Sequence, residues 1–593
     1  MGGPDGLRHP RPTVLAGIRS EHETEDRAPW CDQPMTTSIP PEWPHCGHGA
    51  DPDIDPVGCR GRRVEPFAEC LAHLTDVDRT AYLATLSPGA DVDHRGTTFA
   101  GELLNELFAT LADPGTHLSK LGEALFEQAE FDCHVQFYRA EFSGRAGFDG
   151  AKFAGKFMSL EVKFDSLASF VGAEFRNAAS FAAADFRGNV YFDEALFCSH
   201  TIFNLAVFRG STGFGGAVFL GDVRFYKASF ERTVMVGPLV STGTLDFDAA
   251  TFGTAVTIEA AAAAVYCWRT RWAATAALRL RYASVHLGYA VMEYPVSIAT
   301  HSRPFTSDGT AEPGLGDDAR ARMMSLQGVD AAHLTLADVD LTDCFIAETI
   351  HLDQLRLEGR YVLPLTPSGV RWRGGLPTWW TPRRTLIEEH HWRASRSTGA
   401  DGWTPAPAEV EVLEPVALAP VYRQLRKSFE DSKHEPGAAD FYYGEMEMRR
   451  HADDIPRSER ALLTTYWALS GYGLRAARAL GWLAIAMTAT ILLMMGFGLP
   501  NEPPKQEITR ERVGGHWKTI IDKPDPKNPT GDRFTGKRFE KALNVTLNSV
   551  VFRSSGQDLT TAGIYIEMTS RLTEPVLLGF AGLAVRGRVK RGS

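Results

Sequence analysis

Three cysteines and a histidine near the N-terminus are the residues best placed for chemistry. Cys46, Cys59, Cys70 and His73 follow a C-x12-C-x10-C-x2-H spacing. Three thiolates and one imidazole form a closed tetrahedral donor set for Zn2+. A closed set is structural rather than catalytic, because no position is left for water or substrate. Cys70 and His73 fall on one turn at the start of a predicted helix. His48 is a rival ligand, Cys31 is expected to be free, and unrelated reduced thiols are the alternative reading. Cys133, Cys198, Cys267 and Cys344 occur singly. Eight cysteines in 593 residues are too few for a disulfide scaffold and fit a reducing compartment.

Other chemical signals are weak. Gly531-Asp-Arg-Phe-Thr-Gly536-Lys537 matches the first part of a phosphate-binding loop, but Arg538 stands where Ser or Thr would hold Mg2+. Glu388, Glu389, His390 and His391 could ligate a metal, yet neighbours in a helix point apart, and a solvated face is expected. The sequence contains no G-x-S-x-G, no H-E-x-x-H and no dinucleotide fingerprint. No catalysis is expected. A net charge of -11, from 62 basic and 73 acidic residues, argues against nucleic acid as a partner.

The elements around these residues are set by 34 phenylalanines. Phe131, Phe137, Phe142, Phe148 and Phe153 open a series that resumes at Phe164 and runs through Phe170, Phe175, Phe181 and Phe186 to Phe230, in alternating steps of six and five. The tripeptides AEF, AKF, ADF, ALF, AVF and ASF recur within it. The register fails at Ser159, where Phe157 and Met158 are expected to compensate. An 11-residue period can mark a right-handed coiled coil. Windows such as FSGRAGFDGAKFAGKF carry too much Gly and too sparse an apolar stripe for that. A solenoid fits instead, with each Phe pointing inward from a short side and two 11-residue units making one coil of about 22 residues. A second stretch, Val329 to Ile346, has five-residue steps at Leu334, Val339 and Cys344 and at Leu336, Leu341 and Ile346.

This pattern resembles the pentapeptide-repeat family. The resemblance implies a mainly β fold, a right-handed four-sided β-helix with the central Phe or Leu stacked inside. Separately, the cysteine cluster resembles small zinc-finger modules ending Cys-x2-His, with the first spacing expanded here.

Two hydrophobic segments lie near the C-terminus. Residues 479–500 carry no charge over 22 positions, enough to cross a bilayer core of ~30 Å. The second, 564–585, includes Glu567, Arg571 and Glu574 on one helical face, where acid and base can pair. Arg475 and Arg478 before the first, and Arg586, Arg588, Lys590 and Arg591 after the second, put both flanks in the cytoplasm. Basic residues in the intervening loop, among them Lys505 and Arg510, oppose that topology. Ahead of the first segment, Tyr422, Leu425 and Phe429, then Phe441, Tyr442 and Met446, mark a helical hairpin.

The expected order is a disordered tail over 1–40, with no signal peptide, and a small module with the zinc site over 41–118. The β-helix follows over 119–360, with a polar loop at 301–323. A linker and helical hairpin over 361–470 then lead to a membrane domain with transmembrane helices over 471–593. The hairpin and first span resemble the tethering region of bacterial pentapeptide proteins, some of which carry a two-span, channel-like C-terminus. The reading is a scaffold anchored in the bacterial cell membrane, its repeats cytoplasmic and bound to an unidentified protein partner. The alternative is a channel or membrane sensor with residues 538–553 as a pore helix, although no TVGYG filter is present. Homo-oligomerisation stays open. Mimicry of DNA, known in part of the resembled family, needs an acidic stripe, and residues 121–232 hold 14 acids against 11 bases.

Overall fold

In the computed structural model the Phe register closes on itself every 22 residues. Phe153 pairs with Phe175 and Phe175 with Phe197, while Phe142, Phe164, Phe186 and Phe208 form a second parallel ladder. The described residues are 40–589, apart from 52, 306–311, 313–314, 370, 374–375, 379, 397–401, 501–506, 514–515, 523–525, 528–530, 552 and 555. The expected tail therefore lies outside them, except for Pro40. The chain divides into two units, Met1–Leu413 and Glu414–Ser593.

The first unit is built on a parallel β-solenoid of about 10 turns. Each coil has four two-residue sides, as in Lys163–Phe164, Ala168–Ser169, Glu174–Phe175 and Ala179–Ser180. Two kinds of residue point inward. The Phe fill the centre, and the Ala two residues before them, such as Ala173, Ala179 and Ala184, leave room at the walls. Rings of successive coils lie face to face. Centroids are 4.7 Å apart for Phe175 and Phe197, 5.0 Å for Phe181 and Phe203, and 5.2 Å for Phe186 and Phe208. Close-packed aromatic stacks of this kind add to the burial of 150–250 Å2 per ring. At the faulted position Ser159 is buried and Phe157 fills the column, its ring 5.0 Å from that of Phe181, while Met158 faces solvent.

Corners and outer faces follow the same period. Asn189 accepts from Ser211 N at 3.0 Å, and Asp193 accepts from Gly215 N at 2.6 Å, each satisfying an amide one coil on. Outward charges alternate between coils, as in Lys152–Glu130 at 3.0 Å and Lys163–Glu141 at 2.7 Å. Such exposed pairs contribute under about 1 kcal/mol each, so the inner ladder dominates stability.

From Thr251 the coil shortens to 20 residues, pairing Phe252 with Trp272 and Trp272 with Met292. Two long strands, Met235–Asp246 and Val256–Tyr266, run round a corner without a break. The second is rich in Ala, whose small side chains permit the bend. The described residues of the insertion between Thr300 and Arg322 form a loop, as expected, anchored on the solenoid at two points. Its Glu312 is buried in an ion pair with Arg281 at 2.8 Å, and Leu315 packs on Val240 and Ala261. Burial of Arg281 by the coil requires that partner.

Both ends are covered. The first coil includes Val92–Asp93 and Thr98–Phe99, which pair with Ala124–Leu125 and Glu130–Phe131. Helix α1 (Asp76–Leu83) precedes it, and α2 (Gly101–Thr110) follows Thr98–Phe99. His94 heads the Phe126 column, fully buried against Phe99 and Phe126. Burial lowers its imidazole to about 4. Between pH 6.5 and 4 the unfolded chain therefore binds the proton that the folded chain refuses. The neutral imidazole's contribution, about 3 kcal/mol, is complete above pH 6.5 and lost as pH falls toward 4. Urea unfolding at pH 7 and pH 4.5 is expected to show this loss, and His94→Phe is expected to remove that part of it.

At the other end, α3 (Ile387–Ser395) caps the last coil. A solvated face was expected for its Glu388-Glu389-His390-His391 run, but all four side chains are buried. The cause is the solenoid's open edge. Glu388 accepts from Ile346 N at 2.6 Å and Ala347 N at 2.7 Å, amides that have no further coil to pair with. Glu389 pairs with Arg383 and Arg393, and His390 meets Thr385 at 2.9 Å.

In the second unit, α4 (Pro415–Asp431) and α5 (Glu435–His451) form the expected hairpin around Tyr422, Phe429 and Phe441. Gly444 lets the helices meet, since a Cβ there would lie 2.2 Å from the Tyr422 ring. Helix α6 (Arg457–Ser470) leads to α7 (Ala476–Leu493), extended by a π turn over Met494–Gly498. A strand pair (Glu507–Val513, His516–Asp522), α8 (Gly536–Val550) and α9 (Thr561–Val589) complete the unit. Among the described residues one helix, Ala476–Gly498, is long and apolar enough to cross a membrane.

Candidate metal centre

Backbone pairing brings the N-terminal sulfurs together. Cys46 N donates to Gly61 O at 2.8 Å, Gly47 N to Cys59 O at 2.9 Å, and Cys59 N to His48 O at 2.9 Å. This narrow antiparallel ribbon turns through Gly47 and Gly58, with φ of 68° and 62°, a region in which side chains are strained. A separate turn, closed by His73 N and Leu74 N on Cys70 O, supplies the other pair. The Cys70–His73 element is this turn, and the helix begins only at Asp76 behind the Thr75 cap.

The four predicted residues converge, their ligand atoms all within 4.8 Å of one another. Cys46 Sγ lies 3.6 Å from His73 Nδ1, Cys70 Sγ 3.3 Å from the same nitrogen, and Cys59 Sγ 3.7 Å from Cys70 Sγ. A tetrahedral ion with metal–sulfur bonds near 2.3 Å and a metal–nitrogen bond near 2.0 Å separates its donors by roughly 3.5–3.8 Å. The donor set fits such an ion. The hydrogen bond with Cys70 draws the Cys59 thiol down to about 5 and pushes that of Cys70 up. Gly61 is part of the cradle. Its amide faces Cys59 Sγ at 3.4 Å, and a Cβ on it would lie 2.8 Å from Cys70 Sγ.

The rival His48 is not one of the four. Its exposed ring stacks on that of His73, centroids 4.2 Å apart. Cys31 lies outside the described residues. Cys198, expected to be a single thiol, is instead disulfide-bonded, which disagrees with the reducing compartment expected from cysteine usage, while Cys133, Cys267 and Cys344 are free. The module is fastened to the first coil by Arg62 N on Arg95 O at 2.8 Å and by the Arg62–Asp93 ion pair at 2.9 Å. Arg95 also covers the Trp43 ring at 5.0 Å. Sequence reading did not single out Asp93, Arg95 or Trp43. They are ordinary residue types with no spacing signal.

In the second unit, the P-loop-like segment ends at the start of α8. There Arg538 donates to the carbonyls of Met495 and Leu499 at 2.8 and 2.7 Å, a cationic cap on the C-terminal end of the apolar helix. Glu574 meets Thr490 of α7, at 2.8 Å, rather than Arg571.

Comparison of the chain with protein-family models, with curated proteins and with solved structures finds no match.

Proposed function

We propose that this chain is a membrane-anchored scaffold of the pentapeptide-repeat type, without catalysis, that holds a protein partner on its solenoid at the cytoplasmic face of a bacterial membrane. The observation that carries the anchoring is an inside-out distribution of side chains. On α7, Leu480, Trp482, Ile485 and Leu492 are exposed, and on α9 so are Ile564, Met568, Leu572 and Val576. The residues buried between the helices include Thr490, Thr546, Ser549, Ser570 and Glu574. Water disfavours that arrangement, whereas lipid favours it, because apolar side chains face the tails and polar ones find partners inside. Zinc at Cys46, Cys59, Cys70 and His73 has a structural role in this reading, fixing the cap over the first coil. The stacked Phe give the solenoid rigidity, and its outward charge ladders are the surface a partner reads.

The test is affinity purification of the full chain from native membranes beside a variant with Lys152, Lys163, Arg187 and Arg209 replaced by Ala. One protein is expected to co-purify with the first and be lost from the second. A fold-intact variant that retains everything the full chain captures would overturn the scaffold.

A channel-like reading is favoured by one feature. The short amphipathic helix α8 buries Ala542 and Val545 against Met494, Met495 and Leu499 at the end of the apolar helix, and against Leu559 ahead of α9. Ion flux in reconstituted vesicles distinguishes it from a passive anchor.

A further inference from the structure

Glu574 is the one acid on α9 that is completely buried, with no exposed surface. One carboxyl oxygen lies 2.8 Å from Thr490 Oγ1, and the other is buried with no hydrogen-bond partner. The same Thr490 hydroxyl lies 3.0 Å from Ala486 O, one turn back on α7. A hydroxyl carries a single proton, and a carbonyl can only accept. If Thr490 gives its proton to Ala486 O, the usual arrangement for Thr inside a helix, the proton between Thr490 and Glu574 must come from the carboxyl.

The charges that could alter this are few. Helix α7 and its π turn have none from Ala479 to Gly498, and α8 none from Ala542 to Val550. Helix α6, whose Tyr466 packs on Phe580 of α9, has its charges, Arg457, Glu459 and Arg460, in its first turn. On α9 the neighbours are Glu567 and Arg571, and the hydrogen bond of Glu574 is to Thr490. A carboxylate buried without a cation is costly, and far more so at bilayer depth.

We infer that Glu574 is a proton-binding site inside the C-terminal unit, its carboxyl carrying at neutral pH the proton that it donates to Thr490. This rests on the membrane reading of α7 and α9. The ligand is a proton, and the site ties α9 to α7 through one hydrogen bond. Loss of that proton would leave a buried charge and separate the helices at that point.

A lipid-soluble carbodiimide, dicyclohexylcarbodiimide, reports such a group. The carboxyl O–H adds across one C=N bond: the oxygen bonds to the central carbon and the proton goes to nitrogen. Transfer of the acyl group from oxygen to nitrogen then leaves a stable N-acylurea, with no further reactant. The full chain in native membranes is treated at pH 7, and its peptides are mapped by mass spectrometry. Adduct is expected at Glu574 in excess of that at Glu567, decreasing as pH rises, and absent in Glu574→Gln with the rest of the map unchanged. Alkaline carbonate extraction of the same membranes separates the two claims. Release of the chain by carbonate defeats the membrane reading. A chain that resists carbonate but carries no adduct at Glu574, or no more than at Glu567, overturns the proton site.

Discussion

Cys70→Ser is expected to abolish zinc binding and to unfold the N-terminal cap while the Phe ladder stays stacked. Cys70 is the best buried of the four donors and lies against Gly61 at the centre of the cluster. Structural zinc contributes about 10–16 kcal/mol of apparent folding energy in small finger peptides near neutral pH. The hydrophobic core around it is small, with Val57, Val64, Leu71 and Leu74 its principal members. The Phe columns have their own packing, so they should survive. Elemental analysis of the purified protein is expected to give one zinc per chain, and none for Cys70→Ser. Limited proteolysis of the variant should cut between residues 40 and 90 and spare 120–300. A native protein without zinc contradicts the assignment. A Cys70→Ser variant whose whole solenoid is digested contradicts the independence of cap and ladder.

Phe181→Ala is expected to cost roughly 3–5 kcal/mol, the range for emptying a buried aromatic position. Phe181 touches Phe157 and Phe203 in its column at 5.0 Å each, and Phe170 and Phe192 edge-on at 5.5 and 5.1 Å. In a solenoid this loss acts first on neighbouring coils. Arg187 lies one residue beyond an inward position, 49% exposed, paired with Asp165 and Asp185. Its removal should cost under about 1 kcal/mol. Urea unfolding of the two variants of the 1–413 unit is the comparison. Equal and mild effects would refute an interior held by the ladder.

The inner face of the solenoid was legible because its period is strict. A Phe at every fifth or sixth residue fixes coil length and inward direction together, and the Ser159 fault was visible as a gap. The convergence of Cys46, Cys59, Cys70 and His73 was legible from residue type and spacing. What remained hidden depends on contacts distant in sequence. The Glu388 run looked like a surface helix because the amides it satisfies belong to Ile346 and Ala347, some 40 residues earlier. The burial of Glu312 depends on Arg281, which no local pattern flags. Helical spacing places Glu567, Arg571 and Glu574 on one face, but it carries no sign that Glu574 hydrogen-bonds Thr490, a residue on another helix.

Anchoring is the claim on which the functional account depends, and alkaline carbonate extraction tests it most directly. The full chain and a chain ended after Leu413 are expressed in the same bacterial host, and membranes are washed at high pH. The account predicts that the full chain stays in the pellet and the shorter chain leaves with the supernatant. A full chain that is released with it would contradict the account.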